Sequence, residues 1–186
     1  MRIIGGTFRG RPLQAPTWDG LRPTSDRLRE TLFNVLAPRI DDARVLDVCA
    51  GTGAVGLEAL SRGACWVTFV ERDRRAVALI EANLRRCQVS EGYTIDRRDA
   101  LARAVVFQGG PFDVVFLDPP YTQRSLEAWL HVAAAHVAPD GVVVLEHASR
   151  TLAPSEGAGL VRTRTLAQGD STATFYVRHD EGAPDA

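Results

Sequence analysis

The stretch Arg44-Val45-Leu46-Asp47-Val48-Cys49-Ala50-Gly51-Thr52-Gly53-Ala54-Val55-Gly56 decides the architecture. An apolar run of strand-forming residues meets a turn with glycines at 51 and 53, then re-emerges as a helix carrying Gly56 in its first turn. The same alternation repeats downstream. The pattern predicts strands at 45–48, 66–70, 93–96, 112–117, 142–145, 160–165 and 172–177, and helices at 55–62, 74–87, directly after Ala100, and at 125–137. Strands separated by helices build a doubly wound parallel sheet. The last two strands are joined through Gly169-Asp170 with no room for a crossover helix, so they are expected as an antiparallel hairpin at the sheet edge. The expectation is an α/β fold with a mixed seven-stranded sheet.

Upstream of this unit the chain reads differently. Gly5-Gly6, Gly10, Pro12, Pro16 and Gly20 separate short extended pieces over residues 1–22, the pattern of a small β-hairpin extension. Its Arg2, Arg9 and Arg11 precede the first acid, Asp19, so the segment is locally basic. Phe8 and Trp18 can meet bases or simply pack. Thr24 or Ser25 can cap a helix running to about Ala37, with Leu28, Leu32, Val35 and Leu36 at helical spacing and Pro38 as its stop. Arg22, Arg27, Arg29, Glu30 and Asn34 are read as lying off that apolar stripe. The divisions expected are an extension at 1–22, a main domain at 23–180 and a frayed tail at 181–186.

Composition bounds the function. A chain of 186 residues suits one domain, and a net charge of -1 excludes a uniformly basic nucleic-acid binder. All 22 basic residues are arginine, a side chain suited to bidentate phosphate contacts. Three cysteines, at 49, 65 and 87, have no metal spacing and are odd in number, which points to a reducing cytoplasm. His131, His136, His147 and His179 form no metal-spaced cluster, so no metal is expected. Met1-Arg2-Ile3-Ile4 lacks the apolar core of a signal peptide, and no apolar run is long enough to span a bilayer. Cys49 beside the glycine turn is read as a small packing residue.

The glycine turn has two readings. Gly51-x-Gly53-x-x-Gly56, with Glu71 twenty residues on, matches a dinucleotide fingerprint and would suggest NAD. Asp47 argues otherwise, because an acid beside the turn repels a pyrophosphate but attracts the sulfonium and ammonium of S-adenosylmethionine. Glu71 stands where ribose hydroxyls need an acceptor, and Asp99-Ala100 where an adenine amino group would lie. Asp99 as a helix N-cap is the plainer alternative.

A second element follows the strand at 112–117. In Asp118-Pro119-Pro120-Tyr121 two prolines remove backbone donors, leaving a carboxylate and carbonyl oxygens with few competing N–H groups. That pocket suits an exocyclic base amine, its two N–H groups accepted by Asp118 and the Pro119 carbonyl, with Tyr121 stacked on the base. A proline strand stop with a surface tyrosine is the alternative.

The order of Asp47 to Gly53, Glu71, Asp99 and Asp118-Pro119-Pro120-Tyr121 resembles the class I S-adenosylmethionine-dependent amino-methyltransferases acting on nucleobases, whose sheet is Rossmann-like. Arg2-Ile3-Ile4-Gly5-Gly6, Arg9-Gly10-Arg11 and Arg22-Pro23-Thr24-x-x-Arg27-x-Arg29-Glu30-Thr31-Leu32-Phe33-Asn34 are similar to the amino-terminal signature of the bacterial small-subunit ribosomal RNA guanine-N2 methyltransferases. The resemblance covers nearly the whole chain; Cys49-Ala50 is a small-residue variation within it. It implies a methyl-donor site at Asp47, Ala50, Gly51, Gly53, Glu71, Asp99 and Ala100, and catalysis at Asp118, Pro119, Pro120 and Tyr121. It also implies RNA contacts by Arg2, Arg9, Arg11, Arg22 and Arg27, a ribosomal RNA or assembling 30S partner, no membrane, a monomer and a cytoplasmic location. The Asp118 to Tyr121 element alone leaves adenine N6 or glutamine open, so guanine N2 rests mainly on the amino-terminal signature. An NAD-dependent oxidoreductase and a non-catalytic RNA-binding assembly factor are the readings from other classes.

Overall fold

The computed structural model describes residues 1–18, 24–102, 105–120 and 125–179. Arg22, Tyr121 and the tail at 181–186 lie outside them. The elements run α1 (Asp26–Leu36), a 3-10 turn (Ala37–Arg39), β1 (Arg44–Val48), α2 (Ala54–Ser61), β2 (Trp66–Val70), α3 (Arg74–Cys87), β3 (Tyr93–Asp96), β4 (Phe112–Leu117), α4 (Glu127–His136), β5 (Val137–Ala148), β6 (Glu156–Gly157), β7 (Leu160–Gln168) and β8 (Ser171–Arg178). They form one sheet in the order β3-β2-β1-β4-β5-β8-β7-β6. Strands β1 to β5 pair in parallel, while β8, β7 and β6 are antiparallel.

The seven expected strands are present, and β7 and β8 form the expected edge hairpin. The two-residue β6 is an eighth strand, too short to carry a pattern of its own. No helix follows Ala100 among the described residues. That expectation is corrected to a turn, in which Ala102 N–H donates to Asp99 O at 3.0 Å.

Buried strands need apolar residues on both faces, and β1 alternates accordingly. Val45 packs with Leu28, Leu32, Leu57 and Ile80 of α1, α2 and α3. Leu46 and Val48 face the opposite layer with Trp129, Leu130 and Ala133 of α4. Helix α1 is capped by Ser25, whose side chain accepts from Leu28 N–H. Thr24 is thereby left for another partner.

Arg29 corrects the reading of α1. It was expected off the apolar stripe, yet it is fully buried, donating to Asp26 Oδ1 at 2.9 Å and to the Arg2 carbonyl. Its Nε lies 3.6 Å from Glu58 Oε2, an ion pair with no exposed side-chain surface on either partner. Glu58 in turn accepts from Ile4 N–H and Gly5 N–H, each at 2.8 Å, and from Arg62 Nε at 2.8 Å. These bonds dock the amino-terminal ribbon. Its own pairing runs from Ile3 N–H to Arg11 O and from Gly10 N–H to Ile3 O, and its Ile3 and Leu13 enter the core. Gly6, at φ +74°, passes so close to Ser61 O that a Cβ there would overlap it.

Removing the Glu58 carboxylate leaves the buried Arg29 with the part-exposed Asp26 as its remaining acidic partner. Glu58→Ala should therefore cost about 3–5 kcal/mol of stability, read from denaturant unfolding, with the amides of Ile4 and Gly5 losing exchange protection. A loss below about 1 kcal/mol would show that the pair is not what holds the ribbon.

Candidate active site

Parallel strands send their carboxyl ends to one edge, and the chain order reverses between β1 and β4, which opens a crevice there. The crevice is a cleft of about 930 Å³. Asp47, Ala50, Gly51, Glu71, Asp99, Ala100, Asp118, Pro119 and Pro120 all line it, so the residues singled out from separate motifs converge on one place. Gly53 lies in the same turn at the start of α2, with φ +75°.

Asp47 is buried one residue before the carboxyl end of β1, and its Oδ2 accepts from Gly56 N–H at 2.9 Å. Burial pushes its carboxyl up to about 7, helped by the nearby Glu71 charge and opposed by the Gly56 hydrogen bond. A Cβ on Gly56 would collide with the Phe69 ring and Val67, so glycine there lets α2 lie directly on β2. Glu71 reaches back across the turn. Its Oε2 accepts from Gly51 N–H at 3.0 Å and its Oε1 from Asp73 N–H at 2.8 Å. Gly53 N–H donates to Ala50 O at 2.8 Å.

All three glycine N–H groups of the fingerprint are thus taken by the protein itself. A dinucleotide site needs such donors free for its pyrophosphate. The turn instead presents carboxyl groups, which suits a cationic ligand and disfavours NAD.

Asp99 Oδ1 accepts from Leu101 N–H at 3.0 Å and its Oδ2 from Arg72 Nη1 at 2.6 Å, and these bonds hold its carboxyl below the usual range. Arg75 pairs with Asp73 and lies over the Trp18 ring at 4.9 Å, at the cleft wall. Across the cleft, Asp118 N–H donates to Val48 O at 3.1 Å. Burial, then the charges of Glu146, Asp47 and Glu71, raise the Asp118 carboxyl well above its usual range.

Glu146 was missed in the sequence. It is buried in β5, lines the cleft and accepts from Thr24 Oγ1 at 2.8 Å. An acid closing the apolar run 142–145 is the same signal that marked Asp118, and it could have been read. Thr24 and Trp129 also line the cleft. Of the arginines expected to meet RNA, Arg27 stands in the cleft lining, whereas Arg2, Arg9 and Arg11 belong to the docked ribbon. Arg11 donates to Cys87 O at 2.5 Å and Gln88 Oε1 at 3.2 Å, at the end of α3. His147 is buried, bonded to Thr174 Oγ1 at 2.9 Å, and forms no part of the cleft wall.

Residues 1–177 match the family model described as conserved hypothetical protein 95. The chain is 37% identical over 191 residues to the ribosomal RNA small subunit methyltransferase D of Escherichia coli, covering all of this chain and 94% of that one. The chain belongs to this methyltransferase D family. It is 35% identical to Bacillus subtilis YlbH over 182 residues, which is 96% of this chain and 99% of YlbH. The solved structure of Escherichia coli yhhF superposes with a TM-score of 0.83 at 35% identity, covering 97% of this chain and 99% of that one. Membership makes the protein an S-adenosylmethionine-dependent methyltransferase, in agreement with a carboxyl-lined cleft whose glycine turn offers no phosphate cradle.

Asp47 should give this methyltransferase a distinct pH signature. The folded chain keeps the Asp47 proton to about pH 7, while the unfolded chain releases it near 3.8. Between those values the folded state binds more protons, so stability falls as pH rises through the window. Asp47→Asn keeps an acceptor for Gly56 N–H without a charge to bury. Denaturant unfolding of both proteins across the window should show a steeper fall in the parent than in the variant, which keeps the fall owed to the raised Asp118 carboxyl; parallel profiles would place Asp47's titration elsewhere.

Proposed function

We propose that this methyltransferase modifies the exocyclic N2 of a guanine in small-subunit ribosomal RNA. The observation that carries this reading is the meeting of Asp118-Pro119-Pro120 with the carboxyl-lined donor cleft, in a chain similar end to end to a small-subunit ribosomal RNA methyltransferase. Guanine itself is supported by the amino-terminal signature.

In this proposal Asp47, Ala50, Gly51, Gly53, Glu71, Asp99 and Ala100 hold the methyl donor, Glu71 towards the ribose and Asp99 towards the adenine amine. When bound, S-adenosylmethionine supplies a methyl carbon activated by its sulfonium. Asp118 and the Pro119 carbonyl each accept one N–H of the guanine amine, which turns its lone pair towards that carbon. Orientation supplies most of the rate. Turning the base out of its stack costs a few kcal/mol, and stacking on Tyr121 would return about 1–3 kcal/mol. The donor so held would supply that carbon to N2, its sulfur leaving as a neutral thioether with the bonding pair. The amine, now cationic, releases a proton to Asp118 or water.

Phosphate contacts fall to Arg27 at the cleft, to Arg22, and to Arg2, Arg9 and Arg11 of the amino-terminal extension. The partner is ribosomal RNA or an assembling 30S particle, met by a cytoplasmic monomer. Among the described residues no helix is long and apolar enough to cross a membrane.

The test offers labelled donor to undermethylated small subunits and maps the modified base. Label on guanine N2 is expected, and label only on adenine, or none on RNA, would overturn the reading. Asp118→Asn should lower kcat at least about 100-fold, with donor affinity close to the parent by calorimetry. Transfer at the parent rate would remove Asp118 from the amine site.

A further inference from the structure

Asp118 has a neighbour that no motif announces. In the parallel β4–β5 pair Leu117 stands opposite Leu145, so Asp118, the first residue past the end of β4, comes beside Glu146 in β5, whose charge it feels. Strand parity points both to the face that carries Phe116 and Val144, the side covered by α1. Both line the cleft, and Glu146 is only 3% exposed. A carboxylate held this deep normally serves a fixed partner or a ligand. Glu146 Oε2 accepts from Thr24 Oγ1 at 2.8 Å, which fixes how the carboxyl stands at the cleft wall.

Guanine and adenine differ where this pair would meet them. Beside its exocyclic amine guanine carries N1–H, a second donor, whereas adenine carries a bare N1, an acceptor. Two adjacent carboxyl groups match two adjacent donors. The Asp118 to Tyr121 element accepts an amine from either base and cannot choose between them. Thr24 belongs to the amino-terminal signature that favoured guanine, and its hydroxyl ends on Glu146.

We propose that Glu146 is a specificity-determining residue, accepting the N1–H of the guanine whose N2 lies against Asp118. The inference rests on the guanine-N2 reading above. Adenine in the same pose would set its N1 lone pair against the Glu146 carboxyl oxygens, acceptor facing acceptor. Thr24 orients Oε2, so the amino-terminal segment sets the base preference without touching the reacting atoms.

The experiment compares guanine with 2-aminopurine, which keeps the 2-amine but presents a bare N1. Small subunits are reconstituted with RNA carrying either base at the methylated position, and kcat/KM is measured for the parent and for Glu146→Gln. The parent should prefer guanine about 10- to 100-fold. The glutamine amide can donate to a bare N1, so the variant's ratio should shrink at least about tenfold or reverse. An unchanged ratio in Glu146→Gln, with guanine still methylated by the parent, overturns the role of Glu146 alone. Failure of the parent to methylate guanine overturns this inference together with the reading beneath it. Donor affinity within about threefold of the parent shows the cleft intact in the variant. Should Glu146→Gln not fold, Thr24→Val is read in its place; it should narrow the ratio by several-fold, and an unchanged ratio there overturns the assignment.

Discussion

The hydrogen bond from Gly56 N–H to the buried carboxyl of Asp47 sets the geometry on which the cleft depends. It pins the first turn of α2 to the carboxyl end of β1, and the missing side chain of Gly56 lets that turn rest on Phe69 and Val67 of β2. With α2 held there, Gly51 N–H reaches Glu71 and Ala50 N–H reaches Val70 O, so the ends of β1 and β2 are tied together. Burying the carboxyl is unfavourable, as its raised proton affinity shows. The fold accepts that cost to hold a rigid turn whose N–H groups are already engaged.

The electrostatics of the cleft follow from the topology. Five parallel strands bring Asp47, Glu71, Asp99, Asp118 and Glu146 to the same edge. Arg72 answers Asp99, and the two are joined on the more exposed side. Towards the centre, Asp118 feels Glu146, Asp47 and Glu71 together and holds its proton more tightly. A ligand carrying positive charge relieves this repulsion, and one carrying phosphates adds to it. The same arrangement therefore suits a cationic donor, and under the proposed function its acceptors would also face the base amine.

The amino-terminal ribbon is bound into this scheme by a different device. Glu58 gathers two ribbon N–H groups and two arginines, and Arg29 returns a bond to the Arg2 carbonyl. A buried charge pair is a poor source of net stability but strongly favours one docked position over others, since any slip strands a charge. That register carries forward through α1 to Thr24, whose hydroxyl ends on Glu146 in the cleft. Segments far apart in the chain thereby meet at the same cleft.

Residue order by itself determined the alternation of strands and helices, the edge hairpin at Gly169-Asp170 and the chemistry of each loop, because these depend on local periodicity and turn residues. It also sufficed to doubt NAD, from the charge of Asp47 beside the glycines. It misjudged Arg29, since a helix stripe read from apolar residues cannot register a charge whose buried partner lies 29 residues away in α2. It passed over Glu146, an acid closing its own apolar run, whose place next to Asp118 became visible only when β4 and β5 paired. Long-range pairing decided those two positions, and no local signal encodes which strand will lie beside which. The occupied N–H groups of the glycine turn are likewise a tertiary fact, because their acceptors come from Asp47, Ala50 and Glu71 only after the sheet has closed.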